Sequence, residues 1–287
     1  MNKPTPKPQQ NIPKTIIRTA RFLEAISPKL ATSFAAKLFT TPINHRLPKR
    51  EEEMEHNAVQ SFVSIPKIQQ RIRVFEYGKS NKRVLLVHGW SGRGTQLVSI
   101  AKAYVKQGYM TISFDAPGHG KSDGKTSHMA QFIESILELE RLYGKFDIVI
   151  GHSLGGMSVM NSIKRGMKPD KAVLIGSADV VFDVFRGFIE NLQLKPVIAE
   201  MLRAKFENKL QDKLSEYDVY QAAKEVNIPV LVVHDKQDAD VPVACADHIF
   251  KYLPNGKIYI TDGLGHRKIL GDKTTIKHIM NFTDTEI

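Results

Sequence analysis

A serine set among glycines, Gly151-His152-Ser153-Leu154-Gly155-Gly156, follows the apolar run 146–150 and precedes a helix-like run over 154–163. The spacing has a physical cause: a serine held on a sharp strand-to-helix turn leaves no room for side chains two positions before and after it. Such a turn lifts the hydroxyl clear of a sheet. The following helix then aims unpaired N–H groups and the positive end of its dipole at the same point. Ser153 therefore reads as a nucleophile, with stabilisation for an oxyanion beside it. A serine hydroxyl attacks a carbonyl only when a base takes its proton, and the base needs a carboxylate to hold its tautomer and stabilise the imidazolium.

Two later stretches offer those partners. After the apolar run 229–234 come three candidate acids, Asp235, Asp238 and Asp240, just before Val241-Pro242. After the run 257–261 comes Asp262-Gly263-Leu264-Gly265-His266, and of the ten histidines His266 alone follows a strand end beyond those acids in a glycine-bearing loop. The interval between acid and base leaves room for one helix and one strand. His248 and His278 fall in helical patterns and read as surface or packing residues. His88, His119, His152 and His234 lie at strand ends or turns and read as groups that shape the site, with His88, Gly89 and His152 as candidates for its substrate pocket. Gly120-Lys121-Ser122 has part of a phosphate-loop pattern, but Asp115 stands where that motif needs glycine, so the run is expected to be a supporting turn. No Cys/His cluster has zinc spacing, and neither a metal nor a cofactor is expected.

These groups need a frame, and the hydrophobic pattern describes one. Residues 60–65 and 71–76 alternate as in an antiparallel edge pair. The run 83–87 is apolar after its first residue, as a strand buried on both faces would be. Further strands are expected at 110–114, 146–150, 172–175, 229–234 and 257–261, with helices over 95–107, 128–143 and 274–281. Alternation of this kind predicts an α/β fold, a mostly parallel sheet covered on both faces by helices. Ligand chemistry in such sheets sits beyond the carboxyl ends of the strands, and every candidate residue lies at such an end. Between 176 and 227 no strand is expected. The large apolar groups and helical spacing there predict a helical lid over Ser153, spanning residues 178–227.

The 287-residue chain is 42% hydrophobic and carries a formal net charge of +11. The charge is uneven: residues 1–50 hold ten of the 41 Lys and Arg but one of the 30 acidic residues, Glu24, so these fifty residues are net +9 and the rest only +2. A nearly neutral body gives no reason to expect a nucleic-acid partner. Prolines at 4, 6, 8 and 13 predict an extended lead over 1–13. Apolar residues at helical spacing over 14–39, broken at Ser27-Pro28, predict two basic amphipathic helices. Such helices can pack on the parent domain or lie against an anionic membrane. The charge run 46–55 reads as a solvated linker, which sets the division into an arm over 1–57 and a catalytic domain over 58–287. A single cysteine, Cys245, excludes an intrachain disulfide. With no apolar run of membrane-spanning length and charges spread through the N-terminus, a cytoplasmic address is expected, with peripheral membrane contact through residues 14–39 as the open question.

Taken together, His88-Gly89-Trp90-Ser91-Gly92, the run from Asp115 to Ser122, the serine elbow, Asp238 before Val241-Pro242, and Gly265-His266 resemble the α/β-hydrolase family over residues 59–282. Within it the chain is similar to the serine-aminopeptidase-like or lysophospholipase-like hydrolases. The resemblance implies the order Ser153, Asp238, His266 for the catalytic residues, with Asp240 the runner-up acid. It also implies oxyanion donors at the backbone N–H groups of Leu154 and Trp90. The Trp90 ring could wall an acyl pocket or fill core. The implied activity is ester hydrolysis through an acyl-enzyme on a small or hydrophobic acyl substrate. Amide or carbon–carbon bond hydrolysis by the same residues is one alternative, and a binding protein that keeps the fold without turnover is another. Branches of the family that use an aspartate nucleophile are disfavoured by Ser153.

Overall fold

The structure, a computed structural model, describes residues 12–284. Most of the proline-rich lead therefore lies outside the described residues. In chain order, α1 (Lys14–Ile26), α2 (Pro28–Thr40) and α3 (Lys49–Asn57) precede β1 (Val59–Ile65), β2 (Gln70–Tyr77) and β3 (Arg83–Val87). Then come α4 (Val98–Lys106), β4 (Met110–Phe114), α5 (Met129–Tyr143), β5 (Ile148–His152), α6 (Leu154–Lys164) and β6 (Lys171–Ile175). Three helices, α7 (Val181–Asn191), α8 (Val197–Leu210) and α9 (Val219–Ala223), fill the interval before β7 (Val230–Asp235). The described chain closes with α10 (Ala244–Tyr252), β8 (Gly256–Thr261), α11 (Gly265–Lys268) and α12 (Lys273–Asp284).

The eight strands form one sheet in the order β1-β2-β4-β3-β5-β6-β7-β8. Pairing is antiparallel from β1 to β2 and from β2 to β4, and parallel from there on. The alternating first two strands are antiparallel as expected, but only β1 is an edge; β2 sits inside it against β4. Every residue of β5, β6 and β7 is buried, which matches their unbroken apolar runs. Helices cover both faces: Phe132 and Ile136 of α5 and Met160 of α6 pack in one core, while Ile100 and Tyr104 of α4 and Ile279 of α12 pack in the other. β5, which ends in the serine turn, lies mid-sheet with Gly151 beside Val87 of β3 and Leu174 of β6.

The charge run 46–55 is not a solvated linker. From Lys49 on it is α3, with Glu51 and Glu52 in the first turn, where acidic side chains suit the helix dipole. Met54 is its buried anchor, and buried Glu51 accepts a hydrogen bond from Thr95 Oγ1 at 2.8 Å. One apolar side chain in nine residues gives no visible period, so a helix held mainly by polar contacts went unread.

The arm does break at Ser27-Pro28, with Ser27 as N-cap and Pro28 the first residue of α2. Its inner face packs. Ala31 and Ala35 are buried, and Thr32 Oγ1 lies 3.7 Å from Met201 Sδ on α8. Small residues on that face let the two helices approach closely. The Phe39 ring meets those of Phe185, Phe188 and Phe206 edge-on at centroid separations of 4.8, 5.2 and 6.0 Å. Burying a phenylalanine such as Phe185 contributes about 1.5–3 kcal/mol, so this cluster holds arm and body together.

Candidate active site

Ser153 occupies the turn between β5 and α6 with φ +54° and ψ −120°, a conformation that costs a residue with a side chain roughly 1–3 kcal/mol. Its surroundings enforce the turn. Ser153 N–H donates to Ile175 O at 2.9 Å, and its own carbonyl accepts from Gly156 N–H at 2.9 Å. A Cβ at Gly155 would stand 2.3 Å from Val87 O, and one at Gly151 would stand 2.5 Å from the Gly155 backbone. The helix therefore crosses so close to the sheet that only glycine fits at either place. Leu154 is the first residue of α6, so its N–H has no acceptor within the helix.

Asp238 and His266 are joined. His266 Nδ1 lies 2.7 Å from Asp238 Oδ2, and the other carboxylate oxygen accepts from Asp240 N–H and Val241 N–H at 2.8 Å each. Both side chains are buried. Burial alone would push the Asp238 carboxyl up, but hydrogen bonding to His234 and His266 outweighs it and holds the group well below the usual carboxylate range. An ionised carboxylate only accepts, so His266 Nδ1 donates to it, which leaves Nε2 as the acceptor of the ring. The two competing acids have other duties. Asp235 binds the loops together through Gln237 N–H, Thr261 Oγ1 and Leu264 N–H, and Asp240 pairs with Arg267 at 3.1 Å.

His152 was not legible as a support for the base. Its Nε2 donates to the His266 carbonyl at 2.9 Å, and the two rings lie 4.6 Å apart. Burial, reinforced by the neighbouring His266, lowers its pKa to about 3, so it stands neutral. No sequence signal reports a contact between a side chain and a backbone carbonyl 114 residues away.

Ser153, Leu154, Trp90, His152 and His266 line one cavity of about 1320 Å³. Of the three pocket candidates only His152 reaches it. His88 is buried beneath, its Nδ1 donating to Gly89 O at 2.7 Å and its Nε2 accepting from Ala116 N–H at 3.0 Å, and burial keeps it neutral. Gly89 permits close approach instead, since a Cβ there would meet His152 Nδ1 at 2.9 Å and Ser153 Cβ at 3.0 Å. Both are floor rather than wall. Trp90 is a wall: it lines the cavity, and its ring lies against those of Phe39 and His119. The Gly120-Lys121-Ser122 turn supports Asp115, which accepts from Gly94 and Lys121 N–H groups at 2.8 and 2.9 Å.

The remaining wall comes from the arm and from the segment between β6 and β7. Ile16, Leu38 and Phe39 line the cavity together with Phe185, Phe188 and Phe206. That segment is clamped at its two ends by a reciprocal pair of caps: Asp218 accepts from Val181 N–H at 2.7 Å, and Asp179 accepts from Tyr220 N–H at 2.9 Å. Asp179 also bonds His248 of α10. The aspartates precede helices, the usual place for a cap, but which helix each one caps is decided only by tertiary structure.

A family model described as serine aminopeptidase, S33, matches residues 78–184, and one described as TAP-like protein matches residues 210–285. The first spans the serine turn and the second spans the acid and base loops. The chain belongs to the α/β-hydrolase family. Among α/β-hydrolase relatives, a non-heme haloperoxidase of Rhodococcus erythropolis is 25% identical over 65% of this chain and 86% of its own length. A 2-hydroxy-6-oxononadienedioate/2-hydroxy-6-oxononatrienedioate hydrolase of Escherichia coli is 22% identical over 73% of this chain and 90% of its own. An esterase from Exiguobacterium antarcticum shares the fold with a TM-score of 0.64 at 18% identity, covering 79% of this chain and 100% of that one. These relationships within the α/β-hydrolases support a hydrolase.

Proposed function

We propose that the protein is a serine hydrolase that works through an acyl-enzyme, and that its substrates are carboxylic esters with a hydrophobic acyl group. The observation that carries this reading is the Asp238-held imidazole of His266 opening into the same cavity as Ser153. Ser153 Oγ attacks the ester carbonyl while His266 Nε2 takes its proton. The tetrahedral oxyanion receives hydrogen bonds from Leu154 and Trp90 N–H, and collapse expels the alcohol with the proton returned from His266. Water then repeats the sequence on the acyl-enzyme. Asp238 keeps the imidazole in the required tautomer throughout.

The apolar lining supports hydrophobic acyl groups. In this reading α7 to α9 serve as a lid, with α1 and α2 completing the wall. A panel of p-nitrophenyl esters of increasing chain length is the test. We expect turnover to favour longer acyl chains over acetate and to fall by about a thousandfold or more in Ser153→Ala with the fold retained. Turnover by that variant at the wild-type rate would exclude the mechanism.

A further inference from the structure

The helices that wall the cavity turn a second face outward. On α1 and the first turn of α2, Phe22, Ile26 and Leu30 are 65, 61 and 48% exposed. They alternate with Arg18, Arg21 and Lys29, which are exposed as well. Val197, 51% exposed, follows two residues after Lys195, whose N–H donates to Glu24 Oε1 at 2.8 Å, so the start of α8 adjoins the same end of α1. Glu24 is the only acidic residue of α1 and α2, and that bond ties its carboxylate to α8. Large apolar groups left in water among uncompensated cations are not needed to complete a core, and such a patch marks an interaction surface.

We propose that this corner docks on an anionic bilayer, with Phe22, Ile26 and Leu30 in the boundary between headgroups and acyl chains and the cations among the headgroups. Charge selects the occupant. A second copy on the same face would set Arg18, Arg21 and Lys29 against their own equivalents, whereas acidic lipid headgroups complement them. The contact is peripheral, since among the described residues no helix is long and apolar enough to cross a membrane. Ile16 and Phe39, on the same two helices, line the Ser153 cavity. Docking therefore brings the cavity wall to the interface where acyl chains reside. That last consequence rests on the proposed esterase reading, but the docking does not.

The test is co-sedimentation of the full-length protein with vesicles of phosphatidylcholine alone or mixed equally with phosphatidylglycerol. We expect binding to the mixed vesicles that weakens as salt rises, falls at least about tenfold in the double variant F22D/I26D, and falls about fivefold for each cation removed, as in R21Q. F22D/I26D should keep the far-ultraviolet circular dichroism spectrum and melting temperature of the wild type, which shows that it folds. Ser153→Ala should bind vesicles like the wild type, so that failure of docking and failure of the esterase reading are seen separately. Three results would overturn the proposal: no binding to mixed vesicles, equal salt-insensitive binding to phosphatidylcholine alone, or full binding by F22D/I26D. So would a concentration-dependent dimer lost in F22D/I26D, which would assign the face to a second copy.

Discussion

On one side of the Ser153 cavity, the loops at the sheet's carboxyl end hold Ser153, Asp238 and His266 through a forced backbone turn and hydrogen bonds of 2.7 and 2.8 Å. On the other side, α2, α7 and α8 close the space with aromatic rings meeting edge to face, and α1 adds Ile16. The two sides differ in how tightly position is specified. A hydrogen-bonded carboxylate and a turn that excludes any Cβ fix atoms to within a fraction of an ångström, as proton transfer requires. Ring packing fixes volume and polarity, which is enough to choose among acyl groups. Chemistry and selectivity should therefore respond to different substitutions.

The sheet side should give the larger effects. Asp238→Asn is expected to lower kcat by about a thousandfold or more, because a neutral amide neither enforces the Nδ1–H tautomer of His266 nor stabilises its cation. Asp240→Asn should stay within about fivefold, since that side chain pairs with Arg267 and only its backbone N–H serves Asp238. Ester kinetics of the two variants side by side decide which acid acts. Equal losses would erase the distinction between them.

The helical side should respond in selectivity. Phe39→Ala removes the ring shared by Phe185, Phe188 and Phe206, and we expect kcat/KM to fall roughly tenfold for the longest esters with acetate within about twofold. A uniform loss across chain lengths would mean that the arm helices position the catalytic groups rather than the acyl chain.

A smaller effect concerns acid stability. Burial lowers the pKa of His152 to about 3 and of His119 and His128 to about 4, so the folded protein stays neutral at these groups where the unfolded chain binds protons below about pH 6.5. Their contribution is complete above that pH and is lost as pH falls toward 4, with a slope of up to about 1.4 kcal/mol per pH unit for each group. Asp218, raised to about 6 by burial, works in the opposite sense and partly offsets them between pH 6 and 4. The melting temperature should fall with acidification across this window, and His152→Asn, which retains a donor for the His266 carbonyl, should flatten the slope. An unchanged slope would mean that His152 titrates in the folded protein.

How far the sequence could be read follows the same division. Gly151, Ser153 and Gly155 were legible because a turn that excludes side chains is a local constraint written into adjacent positions. The buried strands were legible for the same reason, since burial on both faces demands continuous apolar runs. Resemblance singled out Asp238, and only its hydrogen bonds to His266, Asp240 N–H and Val241 N–H distinguish it physically from Asp235 and Asp240. The helix α3 was missed because Glu51 and Glu55 do work there that apolar residues usually do, bonding Thr95 and Arg73. The arm showed amphipathic helices, but an apolar stripe does not name the surface it meets. Phe39 faces the cavity and Phe22 faces solvent, and the sequence treats them alike.

In the proposed reaction one alcohol, Ser153, activated by one imidazole, His266, does the chemistry. The most direct measurement is to treat the native protein with a fluorophosphonate and locate the adduct by peptide mass. A single phosphonylated residue, Ser153, is expected, with labelling abolished in Ser153→Ala and strongly slowed in His266→Ala. An adduct elsewhere, or active protein that takes no label, would contradict it.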